Sequence, residues 1–277
     1  MVPKLILTDL DGTLLTYDKR LTPRSRAALE RAAAGGSQVV VATGRLLAGV
    51  PQPLLELPFL RYFVLMNGAK VYDRQEDKVL YRSEIPLELA WPIFDLGEEL
   101  GASVDCFQGD RALMEGKYYD RMEYYIPDPG SRALARLTRT RVEDLRREVA
   151  AGGETVQKIQ YYFPDLELRP MAVERLKRDF PQVVTAISMP GNLEINDGRA
   201  TKGHALEALC RHLGLDLVET AAFGDGTNDL TMIQKAGMGV AMANAAPETL
   251  AAADRVAPSN QEEGVAQVLE EWFLNIP

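Results

Sequence analysis

Three short apolar runs in this sequence each end in a polar turn that contains glycine, and this pattern restricts the fold more than any other feature. The runs cover residues 4–8, 38–42 and 220–223, and the turns that follow them read DLDGT, TGR and GDGTND. A continuous apolar run of this length is typical of a strand buried on both faces of a parallel sheet. Strands and helices alternate up to a further strand at residues 62–65, which indicates βαβ units with right-handed crossovers. We therefore predict a doubly wound α/β fold.

The middle of the chain has a different pattern of apolar and polar residues, which predicts a second domain. Long amphipathic stretches occur at residues 87–100 and 131–149, and short alternating runs lie between and after them. The parallel-sheet pattern returns from Gly191. We predict an α+β domain over residues 84–189, inserted into an α/β domain that is formed by residues 1–83 and 190–277.

Composition and charge exclude several classes of protein. The 277 residues are 46% hydrophobic and 26% charged, which is ordinary for a globular protein. A net charge of −9 gives no broad positive field, so we expect no nucleic-acid partner. We find no apolar run long enough for a membrane span and no signal-peptide pattern, and we expect no membrane partner. Two distant cysteines fit a reduced compartment, and a cytoplasmic location is expected.

The three polar turns are expected to meet and to form a metal site. Ligands of open α/β sheets bind at the carboxyl ends of the strands, near the point where the strand order reverses. Several carboxylates at one point are destabilising without a cation, and a donor set made of oxygens suits Mg²⁺. The turns bring together Asp9, Asp11, Asp225 and Asp229, with Thr43 and Asn228 nearby.

These motifs resemble the haloacid dehalogenase superfamily of phosphotransferases. The resemblance rests first on the two acidic turns that begin at Asp9 and Gly224. Further segments, TGR at 43–45, MNGA at 66–69 and ATKG at 200–203, narrow it to the Cof-type branch of sugar-phosphatase-like proteins. The tail patterns at 239–245 and 259–265 agree. The resemblance covers about residues 4–83 and 190–270, and the predicted insert matches the large α/β cap of that branch in position and size only.

The resemblance implies a reaction and a role for each carboxylate. Asp9 would attack phosphorus and form an aspartyl-phosphate, and Asp11 would be the general acid and then the general base. Asp9, the Asp11 backbone carbonyl and Asp225 would hold Mg²⁺, with Asp229 as an outer ligand or orienting group.

The resemblance also implies a set of groups that bind the phosphoryl oxygens. They are the Thr43 hydroxyl, the Leu10 and Gly44 amides, the Lys202 ammonium and the Asn228 amide. Two further residues, Arg45 and Asn67, either face the substrate or hold their own loops.

The function implied is Mg²⁺-dependent hydrolysis of small phosphomonoesters, such as sugar phosphates or related metabolites. Two alternatives stay open at this point. A phosphomutase with a similar core would pass the phosphoryl group to a second sugar hydroxyl, and a non-catalytic protein would only bind the phosphorylated metabolite. Sustained release of inorganic phosphate without a bisphosphate activator separates the hydrolase from the mutase.

Overall fold

The chain alternates strands and helices through most of its length. A computed structural model describes residues 2–189 and 191–274. The strands of these residues are, in chain order, β1 Leu5–Thr8, β2 Gln38–Ala42, β3 Tyr62–Leu65, β4 Lys70–Asp73, β5 Lys78–Arg82, β6 Ile85–Pro86, β7 Ser103–Gln108, β8 Arg111–Glu115, β9 Arg139–Val142, β10 Thr155–Val156, β11 Lys158–Tyr162, β12 Val183–Ala186, β13 Asn192–Asp197, β14 Thr220–Gly224, β15 Met238–Met242 and β16 Arg255–Ala257.

Helices connect most of these strands, and several begin at a residue whose side chain caps the first turn. Thr22 caps α1, where its hydroxyl accepts from the Ser25 amide at 3.1 Å and proline occupies the first helical position. The helices are α1 Pro23–Ala34, α2 Gln52–Leu55, α3 Leu87–Glu99, α4 Gly116–Tyr119, α5 Met122–Tyr125, α6 Pro129–Thr138, α7 Leu145–Gly152, α8 Leu168–Asp179, α9 Lys202–Leu213, α10 Leu230–Lys235, α11 Pro247–Ala252 and α12 Gly264–Trp272.

The chain divides into two compact units. The first unit consists of the residues up to Arg82 and those from Thr201 onward, and the second is Ser83–Ala200. The sequence predicted the second boundary at residue 190, so residues 191–200 lie in the other unit from the one expected. The reason is long-range pairing, because β13 is hydrogen-bonded to β11 and β12 of the second unit.

The first unit contains an eight-stranded sheet in the order β16-β15-β14-β1-β2-β3-β4-β5. The pairs from β16 to β3 are parallel, and β4 and β5 add an antiparallel edge that the sequence analysis did not predict. The strand order reverses between β1 and β14. The predicted doubly wound α/β architecture is therefore confirmed.

Both faces of this sheet are covered, as the apolar runs predicted. Leu5, Leu7 and Val40 pack with Leu206 and other residues of α9 on one face. Ile6 of β1 and Val39 and Val41 of β2 point to the opposite face and are also buried. Strands β1 and β2 are therefore buried on both faces apart from Gln38, and only their ends can carry polar chemistry.

The second unit contains a six-stranded sheet in the order β12-β13-β11-β7-β8-β9 and the short β6–β10 pair. Apolar residues of α3, α7 and α8 form its core with Val104, Ile159 and Ile195 of the sheet. The amphipathic stretch at 131–149 is not one helix, because β9 separates α6 from α7 and pairs in parallel with β8. No helix within the described ranges combines the length and the apolar character needed to span a membrane.

Candidate active site

The two acidic turns lie side by side because β1 and β14 are adjacent parallel strands. Their register aligns Thr8 with Phe223, and the Asp9 amide donates to the Phe223 carbonyl at 3.0 Å. Asp225 follows β14 directly, and Thr43 follows β2 at the same edge of the sheet. These residues therefore lie at the point of strand-order reversal, which is where open α/β sheets bind ligands.

Three of the four predicted carboxylates come together at this edge. One oxygen from each of Asp9, Asp225 and Asp229 lies within 4.8 Å of the other two. Burial raises the pKa of Asp9 well above its usual range, and burial with the neighbouring Asp229 charge raises the pKa of Asp225 to about 7. Among the residues that the structure describes, no other group of three acidic, histidine or cysteine side chains is close enough to share a metal ion.

Lys202 places a single positive charge in this group. It is the first residue of α9 and is completely buried, and its Nζ lies 2.6 Å from Asp9 Oδ1 and also donates to Asp229 Oδ1. Burial alone lowers the pKa of a lysine, but the Asp229 and Asp9 carboxylates outweigh burial and raise the pKa of Lys202 above its ordinary value. One ammonium against three carboxylates leaves an excess of negative charge.

The donor atoms fit a hard divalent cation. All of them are carboxylate oxygens, which suit Mg²⁺ better than a softer metal. Close approach of the two turns depends on Gly12, whose φ is +86° and whose missing Cβ would lie 2.2 Å from Asp225 Oδ2. The Thr13 hydroxyl donates to Asp225 Oδ1 at 2.7 Å and fixes the orientation of that carboxylate.

Asp229 also orders the turn that carries Asp225. Its Oδ2 accepts from the backbone amides of Asp225 and Gly226, both at 2.9 Å. Gly224 makes room for this arrangement, because a Cβ there would lie 2.4 Å from the Asp229 Cβ. The carboxylate thus contacts Lys202 with one oxygen and the turn with the other, which is the geometry of an orienting group.

The fourth carboxylate, Asp11, is paired with cations instead. Arg45 donates to it twice, from Nε at 2.7 Å and from Nη2 at 2.6 Å, and Lys19 Nζ lies 2.8 Å from its Oδ1. Burial would raise the pKa of Asp11, but the hydrogen bonds and charge of Arg45 outweigh it and lower the pKa. Asp11 is therefore held in its ionised form.

The residues predicted to bind phosphoryl oxygens lie on turns at the same edge of the sheet. Thr43 is buried at the end of β2, and its carbonyl accepts from the Asn67 amide at 3.1 Å. Asn228 Nδ2 donates to Asn67 Oδ1 at 3.1 Å, which joins the third turn to the 66–69 turn. The Leu10 side chain is completely buried, and Gly44 is partly exposed beside Thr43.

Sequence reasoning missed two features of this site. It did not decide whether Arg45 contacts the substrate or holds its own loop. In the structure, Arg45 forms an ion pair with Asp11, and its Nη1 donates to the Gly49 carbonyl at 2.6 Å. It did not identify Lys19, which stands in a loop with φ of +61° and carries no motif signal.

Comparison with known proteins identifies the family. A family model described as haloacid dehalogenase-like hydrolase matches residues 6–269. YxeH of Bacillus subtilis (strain 168), provisionally named a phosphatase, is 31% identical over 281 residues, with 98% of each chain covered. The chain belongs to the haloacid dehalogenase-like hydrolases.

Two further comparisons narrow the class of enzyme within this family. The HMP-PP phosphatase of Serratia proteamaculans (strain 568) is 30% identical, with 98% of this chain and 95% of that protein covered. A solved structure described as a subclass IIB sugar phosphatase of the same superfamily has a TM-score of 0.80 at 25% identity, with 97% of this chain and 98% of that chain covered. The predicted class, a phosphatase of this superfamily, is therefore confirmed.

Proposed function

We propose that this enzyme hydrolyses small phosphomonoesters, such as sugar phosphates or related metabolites, with Mg²⁺ and through an aspartyl-phosphate on Asp9. The observation that carries the proposal is the group of three carboxylates around the buried Lys202, at the reversal of strand order. A phosphate dianion would be repelled from this group unless a divalent cation were bound there as well. The named relatives that act on HMP-PP and on sugar phosphates support the substrate class.

The residues that would hold Mg²⁺ are Asp9, Asp225 and the backbone carbonyl of Asp11, with Asp229 as an outer ligand or orienting group. The bound ion would neutralise charge on the transferring phosphoryl group. One oxygen of Asp9 lies within 4.8 Å of one oxygen of Asp225, which supports the proposal that the two carboxylates bind one ion.

In the first step, the Asp9 carboxylate attacks phosphorus and forms the new P–O bond while the bond to the leaving oxygen breaks. Asp11, when protonated, gives its proton to that oxygen, and the product alcohol leaves. In the second step, Asp11 takes a proton from water, the water oxygen attacks phosphorus, and Asp9 is released with inorganic phosphate. The pair with Arg45 represents the ionised form of Asp11, which is the form that the second step needs.

The remaining residues would position the phosphoryl group. Lys202 holds the orientation of Asp9 through the bond to Oδ1, and its charge compensates the phosphoryl oxygens. The Thr43 hydroxyl, the Leu10 and Gly44 amides and the Asn228 side chain would donate to these oxygens. Phosphoryl transfer depends mainly on such alignment and charge compensation.

The second unit would select the leaving group. We propose that Ser83–Ala200 is the cap domain of this enzyme, in agreement with its size and its insertion between β5 and α9. Asn67 is proposed to contact the substrate, and Arg45, which is bonded to Asp11 and to the Gly49 carbonyl, is proposed to hold its own loop. The partner is a small phosphorylated metabolite.

The test is the release of inorganic phosphate from a broad panel of phosphomonoesters, with Mg²⁺ and with EDTA. Wild type should turn over only with the metal, and Asp9→Asn should lose more than about 10³-fold in kcat. Asp254→Asn is a matched control, because Asp254 accepts from the Gly239 amide near the start of β15, at the other end of the sheet, and should keep full activity.

Two outcomes would overturn the proposal. Full activity in EDTA would remove the metal from the reaction. Absence of phosphate release from every ester, with the same esters still bound, would instead favour the mutase or the non-catalytic binding protein.

A further inference from the structure

Residues 244–249 connect both acidic turns to one another. This segment follows β15 and includes the first three residues of α11. At its start, Asn244 Nδ2 donates to the Gly12 carbonyl at 2.8 Å. Further on, the Ala246 amide donates to the Asp225 carbonyl at 2.8 Å, and the Thr249 hydroxyl donates to the Gly226 carbonyl at 2.9 Å. One short segment thus bonds the turn that carries Asp9 and the turn that carries Asp225.

A second asparagine fixes Asn244 itself. The backbone amide of Asn260 donates to Asn244 Oδ1 at 3.1 Å, and the side-chain Nδ2 of Asn260 donates to the Leu15 carbonyl at 2.7 Å. Asn260 is 2% exposed. The two side chains together hold the Gly12 and Leu15 carbonyls, which lie at the two ends of the turn that follows Asp11.

These contacts lie beyond the last hydrogen bond between β1 and β14. The bond from the Asp9 amide to the Phe223 carbonyl lies at the end of the β1–β14 pairing. Beyond it, the two turns are joined across the site by Lys202, which bonds Asp9 and Asp229, by the Thr13–Asp225 bond and by residues 244–249. The three carboxylates repel one another, so the neutral hydrogen bonds of residues 244–249 hold the spacing of the turns together with the ion pairs of Lys202.

We propose that Asn244 is a positioning residue for the cation site, and that it sets the spacing between the turns that carry Asp9 and Asp225. The inference rests on the proposed function, because the site that it positions is the proposed Mg²⁺ site. Asn244 reaches no carboxylate of the site, so its effect is transmitted through the Gly12 carbonyl. Loss of its donor should weaken binding of the ion more than it changes the chemistry at Asp9.

The experiment compares variants of two side-chain amides that both donate to backbone carbonyls, the partly buried Asn244 and the buried Gln108. Asn244→Asp keeps the shape but replaces the donor with an oxygen that faces the Gly12 carbonyl, and Asn244→Ala removes the donor without adding charge. The matched controls are Gln108→Glu and Gln108→Ala. Gln108 Nε2 donates to the Val149 and Thr155 carbonyls at 3.0 and 2.9 Å in the other unit.

Binding of Mg²⁺ to each folded variant is measured by isothermal titration calorimetry without substrate, and phosphate release is then measured against Mg²⁺ concentration. We expect the Asn244 variants to bind Mg²⁺ about fivefold to tenfold more weakly, as the loss of one hydrogen bond predicts. Their kcat at saturating Mg²⁺ should stay near that of wild type. The Gln108 variants should lose stability and keep the Kd of wild type.

The outcomes separate this inference from the proposed function. If wild type binds Mg²⁺ and the Asn244 variants bind it equally well, Asn244 is only a structural residue and the inference is wrong. If wild type itself binds no Mg²⁺ in the same calorimeter, the proposed function fails, and the inference fails with it. If Asn244→Asp does not fold, the Asn244→Ala variant decides.

Discussion

Each of the two units buries a cluster of charged side chains, and the clusters differ in how their charges balance. In the first unit, Asp9, Asp225 and Asp229 surround the ammonium of Lys202 alone. Burial and mutual repulsion raise the pKa of two of these carboxylates. When its three carboxylates are ionised, this cluster carries more negative charge than its own cation can compensate.

The cluster in the second unit has two anions and two cations. Arg139 Nε lies 2.6 Å from Asp105 Oδ2, and Lys158 Nζ lies 2.7 Å from Glu194 Oε1, with all four side chains buried. Arg139 also donates to Gln160 at 3.0 Å. The charges of this cluster compensate one another without any added ion.

The difference shows why burial of charge alone does not identify a functional site. A balanced buried cluster costs desolvation, but its members stabilise one another once they are paired. An unbalanced cluster remains destabilised until it binds a counter-ion, so the imbalance itself points to a ligand. The comparison predicts that the same kind of substitution has opposite effects in the two units.

The largest effect is expected for Lys202→Gln. Removal of the ammonium leaves the buried Asp9 and Asp229 and the partly buried Asp225 without a cation, and breaking a buried ion pair typically costs about 4 kcal/mol of unfolding free energy. Urea unfolding followed by circular dichroism should show this loss in EDTA and a partial recovery with Mg²⁺. An equal loss under both conditions would contradict the idea that the cluster lacks positive charge.

Asp105→Asn should lower the unfolding free energy by about 3 kcal/mol, because it leaves the buried Arg139 without its anion. Here the unfolding free energy should be the same with Mg²⁺ and with EDTA. Glu194→Gln is the parallel variant for the other pair, with Lys158 as the cation left behind. A dependence of either variant on Mg²⁺ would show that the second cluster is not self-compensated.

Asp225→Asn should raise the unfolding free energy of the metal-free protein, whereas the two preceding substitutions lower it. It removes one of three repelling carboxylates, so the metal-free protein should gain about 1 to 2 kcal/mol of unfolding free energy. The same variant should lose the stabilisation that Mg²⁺ gives to wild type. Thermal unfolding in EDTA and in Mg²⁺ gives both numbers, and a lower Tm in EDTA would contradict the prediction.

The smallest effect is expected for Lys19→Gln. Its side chain is 51% exposed, and solvent-exposed ion pairs contribute less than about 1 kcal/mol. Arg45 remains bidentate on Asp11 in this variant. Urea unfolding should therefore stay within about 0.5 kcal/mol of wild type, and a larger change would mean that Lys19 supports the loop rather than only the ion pair.

Local sequence signals predicted those parts of the fold that local chemistry determines. The bounds of β2 and β3 agree with the sequence prediction to the residue, because each is a continuous apolar run between turns. The start of α1 is also a matter of local chemistry, because Thr22 caps the helix and Pro23 occupies its first position. The grouping of Asp9, Asp225 and Asp229 followed from the rule that parallel strands present their carboxyl ends at one edge.

The features that were missed depend on contacts between distant residues. The strand Arg139–Val142 lies within a helical pattern, and it is a strand because β8 is available to pair with it. The unit to which β13 belongs also depends on distant contacts, because its partners β11 and β12 lie in the second unit. In the site, the pairing of Arg45 with Asp11 and the bonds of Asn244 join turns that no spacing rule connects.

The junctions between the units have a consequence for exchange of modules between related enzymes. The chain returns from the second unit at Ala200, and only Thr201 separates that residue from the fully buried Lys202. Thr201 is itself the cap of α9, with its hydroxyl accepting from the His204 amide at 3.2 Å. A chimaera that receives a foreign insert must therefore keep the linker length at this return point.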